Sequence, residues 1–184
     1  MFASRFAAMG AAALLLTGLA GCSSAASSES TVAVSPEPTV ESYEVSRVMS
    51  YGTIADLTAG SDLVVVASIS EEFTETEMDG LPFTDRVVHP SDVLKGSATE
   101  QVTVVSVGTP KAVGALKPGT TDLLFLTEYE YEPGVATGKY VVTGVYAGVY
   151  EQTQGSEFIK LDPESPELPV TLKLEDVIAT IADE

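Results

Sequence analysis

Cysteine, histidine and tryptophan are almost missing from this 184-residue chain, which holds one Cys (Cys22), one His (His89) and no Trp. A single thiol closes no disulfide within the chain and cannot build a multi-thiolate zinc site. A single imidazole excludes any metal site that needs two histidines of one chain. Without Trp the commonest aromatic platform for a sugar or ligand is gone, although 7 Tyr remain. Basic residues are scarce as well: 9 Lys and Arg stand against 27 Asp and Glu, a formal net charge of −18. Such a field repels nucleic acid and anionic lipid headgroups within the Debye length, so no nucleic-acid partner is expected. It favours cations, cationic peptides and basic protein patches, and it keeps a secreted domain soluble. The apolar run from Phe6 to Ala20 is shorter than the roughly 20 residues of a comfortable bilayer span.

What stands at the start instead has the layout of a secretory signal. Arg5 supplies a positive n-region, Phe6 to Ala20 an Ala/Leu/Gly-rich h-region, and small residues follow. The tetrapeptide Leu19-Ala20-Gly21-Cys22 resembles the lipobox of bacterial lipoproteins. That resemblance implies a signal peptide over 1–21 and palmitate-type acylation of Cys22, which becomes the first residue of a mature chain anchored in the cell membrane and facing the extracytoplasmic side. It also leaves no free thiol for nucleophilic catalysis.

Residues 23–44, a Ser/Ala/Glu/Pro tract without apolar periodicity, cannot bury enough surface to offset their ordering entropy. A disordered tether over 22–44 is therefore expected, with a reach of roughly 25 Å. The folded domain is expected over 45–184. Thr53 caps a short helix in which Ile54 and Leu57 share a face, and Gly60 ends it. Leu63 to Ser70 is apolar on both faces, hence a buried strand, and the acidic segment after it, up to Asp79-Gly80 and Pro82, reads as a strand end and polar hairpin loop. Further strands are expected at Thr84–Leu94 (with an edge or bulge at Pro90), Val102–Val107, Asp122–Tyr131, Lys139–Val142, Gly144–Tyr150 and Glu157–Leu161. A Gly- and Pro-rich loop, Gly108–Gly119, interrupts them. The chain closes on a helix whose apolar face is Leu174, Val177, Ile178 and Ile181.

Sequential short strands without helical crossovers exclude a doubly wound parallel sheet. The expected fold is mainly β: a small antiparallel OB-like barrel or sandwich of six to seven strands with a helix at each end. The order SDLVVVASI, VLKG, VTVVSVG, LKPGTTDLLFL, GKYVVTGVYAGVY over about residues 61–150 resembles small secreted bacterial domains of the netrin-like, or metalloproteinase-inhibitor-like, variant of the OB barrel. The inhibitory chemistry of that family does not carry over. It needs a free N-terminal cysteine amine beside the barrel, whereas the resemblance at Cys22 implies an acylated residue far ahead of it.

Three constellations are candidate sites. Glu128, Glu130 and Glu132 alternate with tyrosines, so a strand would line up three carboxylates able to share Ca²⁺, or simply guard an edge. Ca²⁺ is the one cofactor these residues suggest. Glu71, Glu72, Glu75, Glu77 and Asp79 form a second acidic run without EF-hand spacing. Tyr140, Tyr146 and Tyr150, with Tyr129 or Tyr131, either line a ligand cleft or pack the barrel. His89 with Ser91 or Ser106 lacks the G-x-S-x-G context of a nucleophile elbow. The leading reading is a non-enzymatic, membrane-tethered binding or interaction module of the cell envelope with a basic protein or glycan partner, the Gly108–Gly119 loop and the Tyr129–Tyr150 surface being the places for it. The alternatives are a metal-dependent or carboxylate-based envelope hydrolase and a structural lipoprotein without a discrete ligand.

Overall fold

A computed structural model describes residues 49–183. The signal segment, Cys22, the 22–44 tether and the expected domain start at Val45 lie outside the described residues.

The chain runs through α1 (Ile54–Ala59), β1 (Leu63–Met78), β2 (Leu81–Lys95), β3 (Val102–Val107), β4 (Thr121–Glu130), β5 (Ala136–Val142), β6 (Val149–Gln152), β7 (Glu157–Lys160), β8 (Thr171–Lys173) and α2 (Leu174–Ala182). The fold is mainly β, as expected. Strands pair in the order β1-β2-β3-β5-β4, and β4 returns to β1, which closes a five-stranded ring of the OB-like kind. Two details differ from expectation. Among the described residues there are eight strands, and β3 pairs with β5 in parallel, so the sheet is mixed. Strands β6, β7 and β8 extend the sheet beyond the ring from β4.

The run Leu63 to Ile69 is apolar on both faces because it serves two cores. Leu63, Val65, Ala67 and Ile69 fill the ring interior with Val88, Val104, Leu124 and Leu126. Val64 and Val66 point the other way, into a second core with Leu123, Phe125, Tyr150, Phe158, Leu168 and Val177. The cross-strand register puts Leu63 opposite Leu126 and Val65 opposite Leu124 inside, and Val64 opposite Phe125 and Val66 opposite Leu123 outside. Each fully buried side chain of this size contributes about 1.5–3 kcal/mol. Both helices seal the outer core. Thr53 Oγ1 accepts from the Asp56 amide at 3.0 Å and donates to its carboxylate at 2.7 Å, which caps α1 and directs Leu57 inward. In α2, Val177 is buried and Leu174 and Ile181 pack on the core, but Ile178 is 49 % exposed and falls outside the expected face.

Three further features differ. The acidic segment after Ser70 continues as strand to Met78, with a tight turn at Asp79 (φ 53°) and Gly80 (φ 79°). Two consecutive positive φ values match the twist of a two-residue hairpin, and Phe73, Thr74 and Thr76 are good strand formers. Gly144–Tyr150 is not a strand: residues 143–148 form turns, with Val145 at φ 67°, and β6 begins only at Val149. Here β4 exchanges one neighbour for another. Phe125 donates to Gly148 O at 2.9 Å and accepts from the Thr143 amide at 2.9 Å, and a Cβ on Gly148 would come within 2.6 Å of Phe125 O. Residues Thr171–Lys173 add β8 directly before α2. The irregularity expected at Pro90 is present: Ala67 pairs with Pro90 and Val66 with Asp92, so Ser91 is an extra residue on β2.

Candidate functional site

Past Ser68 strand β1 leaves β4 and pairs with β2 alone, and the hairpin is distorted there. Ile69 pairs with Val88 and Phe73 with Arg86, so Ser70, Glu71 and Glu72 face one β2 residue. Ser70 holds this bulge together. Its hydroxyl accepts from the Glu72 amide at 3.0 Å, and its carbonyl accepts from Arg86 Nη1 at 3.0 Å. Bulges of this kind re-aim side chains.

Opposite the hairpin stands the β3–β4 loop, fixed at both ends. Gly108 donates to Pro82 O at 2.7 Å and its carbonyl accepts from Thr84 Oγ1 at 2.7 Å. At the far end Gly119 donates to Ile69 O at 2.9 Å, and Ile69 donates to Thr120 O at 3.0 Å. Between them Ala112 and Leu116 are buried. Gly114, at φ +79°, lies so close to the Tyr146 ring that a Cβ there would be 2.1 Å from it. The loop is therefore a fixed wall.

Hairpin and loop enclose a cleft of about 710 Å³ at the mouth of the ring, lined by Glu71, Phe73, Glu75, Arg86, Thr109, Pro110, Lys111 and Pro118. Arg86 shares the inward row of β2 with Thr84 and Val88, and it is only 3 % exposed. The Phe73 ring, 47 % exposed, lies with its centroid 5.2 Å from the guanidinium carbon. Burial pushes the Arg86 guanidinium below its usual value, and an arginine remains cationic at neutral pH nonetheless. The cleft thus combines a buried cation, an exposed aromatic ring, two prolines, an exposed cation at Lys111 and two exposed carboxylates.

A second polar cluster lies on β4. Asp122 is 1 % exposed, and its Oδ1 has no hydrogen-bond partner among the described residues. Burial raises its pKa to about 7; the neighbouring Thr120 side chain and Lys117 oppose the shift, and Glu151 adds to it. Lys117 Nζ and Glu151 Oε2 are 3.5 Å apart.

The structure scatters the tyrosines. Tyr150 is fully buried in the outer core, edge-on to Phe125 at 6.2 Å, and so is a packing residue rather than a cleft residue. Tyr146 sits in the 143–148 turn under Gly114. Tyr140 packs against the ring interior, and burial, Glu128 and Asp62 raise its pKa. Tyr129 is half-buried on β4, and Tyr131, past the strand end, is 63 % exposed. The expectation of one shared face rested on a continuous strand through Tyr146 and Tyr150, which the turn at Val145 breaks.

Of the glutamate row, Glu128 pairs with Tyr140 across β5, Glu130 accepts from the Gly134 amide at 2.8 Å, and Glu132 lies beyond the strand. Among the described residues no group of three His, Cys, Asp or Glu side chains is placed to hold a metal ion. The second acidic run divides: Glu71 and Glu75 line the cleft. His89 is half-buried opposite Ser68 on β1, while the Ser91 hydroxyl donates to Val66 O at 3.2 Å and that of Ser106 to Thr84 O at 3.4 Å.

Sequence reasoning located one wall of the cleft, the Gly108–Gly119 loop, and missed Phe73 and Arg86. Arg86 carries a legible signal: a charge on the inward row of the strand TDRVVHP, two residues from the buried Val88. No protein-family model matches the chain, and no curated protein matches it either.

Proposed function

We propose that the chain is a lipid-anchored module of a bacterial envelope that binds a ligand on the extracytoplasmic side, in the cleft between the β1–β2 hairpin and the β3–β4 loop. The observation that carries this reading is the cleft itself: about 710 Å³ at the mouth of the ring, with the buried Arg86 under the exposed Phe73. Ligand sites have volumes of roughly 300–1,000 Å³ and favour barrel mouths. Both walls are fixed to the ring by main-chain hydrogen bonds, so the cavity exists before a ligand enters, which lowers the ordering cost of binding. The tetrapeptide ending in Cys22 supports the anchor, and the net charge of −18 favours ligands that are not net anionic.

The test is a protein-observed NMR screen of the intact chain in detergent against peptides, amino acids, glycan fragments and basic proteins. A binder should shift the amides of Phe73, Arg86, Thr109 and Lys111 together. Silence of these four residues across every class overturns the reading. Cys22→Ser should release the protein from the membrane fraction and leave cleft binding unchanged; a variant that stays in the membrane refutes the anchor.

A further inference from the structure

The chemistry of Arg86 narrows what the cleft takes. A guanidinium carries five N–H donors in a planar fork. Among the described residues only Nη1 is hydrogen-bonded, to the Ser70 carbonyl, and Arg86 has no ion pair. Its remaining nitrogens are not among the sealed, unpartnered atoms of the core, so they open on the cleft that Arg86 lines. A buried cation without an anion is unfavourable. The fork geometry is that which grips a carboxylate through two parallel hydrogen bonds.

Glu71 and Glu75 line the same cleft without pairing with Arg86. They fall on one face of β1 with Phe73, because alternate residues of a strand share a face. A simple anion at Arg86 would meet these two carboxylates and a protein of net charge −18. A simple cation at the glutamates would leave Arg86 unsatisfied. A ligand that carries both charges, with no net negative charge, satisfies both groups.

We infer that the cleft holds an amino-acid-type ligand, free or as the C-terminal residue of a peptide, whose carboxylate is gripped by Arg86, whose cationic nitrogen is held by Glu71 and Glu75, and whose apolar stem lies on Phe73, Pro110 and Pro118. This rests on the binding reading above and names the ligand class of that same site.

The experiment is a titration of the intact chain in detergent, followed at Phe73, Lys111 and the Arg86 side-chain Nε–H, with five probes: L-lysine, Ala-Lys, Ala-Lys amide, acetate and n-butylammonium. L-Lysine or Ala-Lys should bind, and the tighter of the two identifies a free amino acid or a peptide end as the source. Removing the carboxylate charge in Ala-Lys amide should weaken binding about tenfold or more, as loss of a charge-assisted hydrogen bond does. Acetate and n-butylammonium should each bind at least about tenfold more weakly than the better two-charge probe. Glu71→Gln with Glu75→Gln, at exposed positions that leave the core untouched, should weaken L-lysine or Ala-Lys by a similar factor. Arg86→Lys, which keeps the charge and removes the fork, should reduce the preference for acid over amide to the smaller one that charge alone gives. Equal binding of acid and amide, or no binding of either two-charge probe, overturns the inference. The binding reading survives that result when another class in the wider screen still shifts the cleft amides.

Discussion

Phe73 on β1 pairs directly with Arg86 on β2, and its ring centroid lies 5.2 Å from the guanidinium carbon at the point where the two strands fall out of step. Three features meet here: the bulge at Ser70–Glu72, a cation with 3 % exposure and an aromatic ring with 47 % exposure. The strand pairing brings the two side chains to the same face, and the bulge delivers the Ser70 carbonyl to Nη1. Two hairpin groups, the Ser70 carbonyl and the Phe73 ring, thus hold the guanidinium.

Phe73→Ala should therefore destabilise the protein by about 0.5–2 kcal/mol, the range of a cation–π contact between exposed and desolvated limits. The Arg86 Nε–H resonance should move and broaden while ring-interior amides such as those of Val65 and Leu124 stay in place. An unchanged Arg86 resonance would show that the ring does not hold the guanidinium.

The loop wall depends on Gly114. Its φ of +79° disfavours any side chain, and a Cβ would sit 2.1 Å from the Tyr146 ring. Gly119 has nearly the same φ, +82°, with nothing within 4 Å of its absent Cβ. Gly119→Ala should cost about 1–2 kcal/mol, the backbone strain alone. Gly114→Ala should cost more than that and raise hydrogen exchange across residues 109–118, because Tyr146 must leave its seat. Equal melting temperatures for the two variants would mean that the contact between loop and turn carries no weight.

These contrasts mark what is legible in the chain. Helix α1 was readable because Thr53, Asp56 and Gly60 act locally, and β1 because five apolar residues in a row, Leu63 to Ala67, satisfy either face. The arm beyond Ser70 was not, since its glutamates read as loop; the solvent they need is available because β1 has left β4 there and is exposed from Glu71 to Glu77. Strand β8 abuts α2 with no turn residue between them, so nothing in the sequence separates the two. The tyrosines lose their shared face at one residue, Val145, whose positive φ no composition rule anticipates. Arg86 was readable by parity and the cleft was not, because the cleft exists only once β1–β2 and the β3–β4 loop are brought side by side.

Tyr150 offers a test of the outer core. The side chain is wholly buried, its hydroxyl has no hydrogen-bond partner among the described residues, and burial together with Asp162 pushes its pKa upward. A buried hydroxyl without a partner bears its desolvation cost unrelieved. Tyr150→Phe keeps the edge-on contact with Phe125 and should raise stability by about 1 kcal/mol, read as a higher urea midpoint with an unchanged slope. A loss of comparable size would place a bound water on the hydroxyl.

Asp122 gives the molecule a pH dependence whose sign follows from its surroundings. Burial is the main cause that lifts its carboxyl from 3.8 to about 7, against Thr120 and Lys117 and with the help of Glu151. Between those values the folded chain binds a proton that the unfolded chain has released, so stability falls as pH rises. The contribution is complete below 3.8 and is lost as pH passes through about 7. The difference is on the order of 4 kcal/mol. Asp122→Asn cannot ionise. It should differ little from the parent at about pH 4 and exceed it in stability by a few kcal/mol at about pH 8. Subtracting the two urea-derived profiles removes Glu151 and every other carboxylate that both proteins share. A flat difference profile would mean that the Asp122 carboxylate finds a counterion or water on ionising, and that its unpartnered Oδ1 is satisfied in solution.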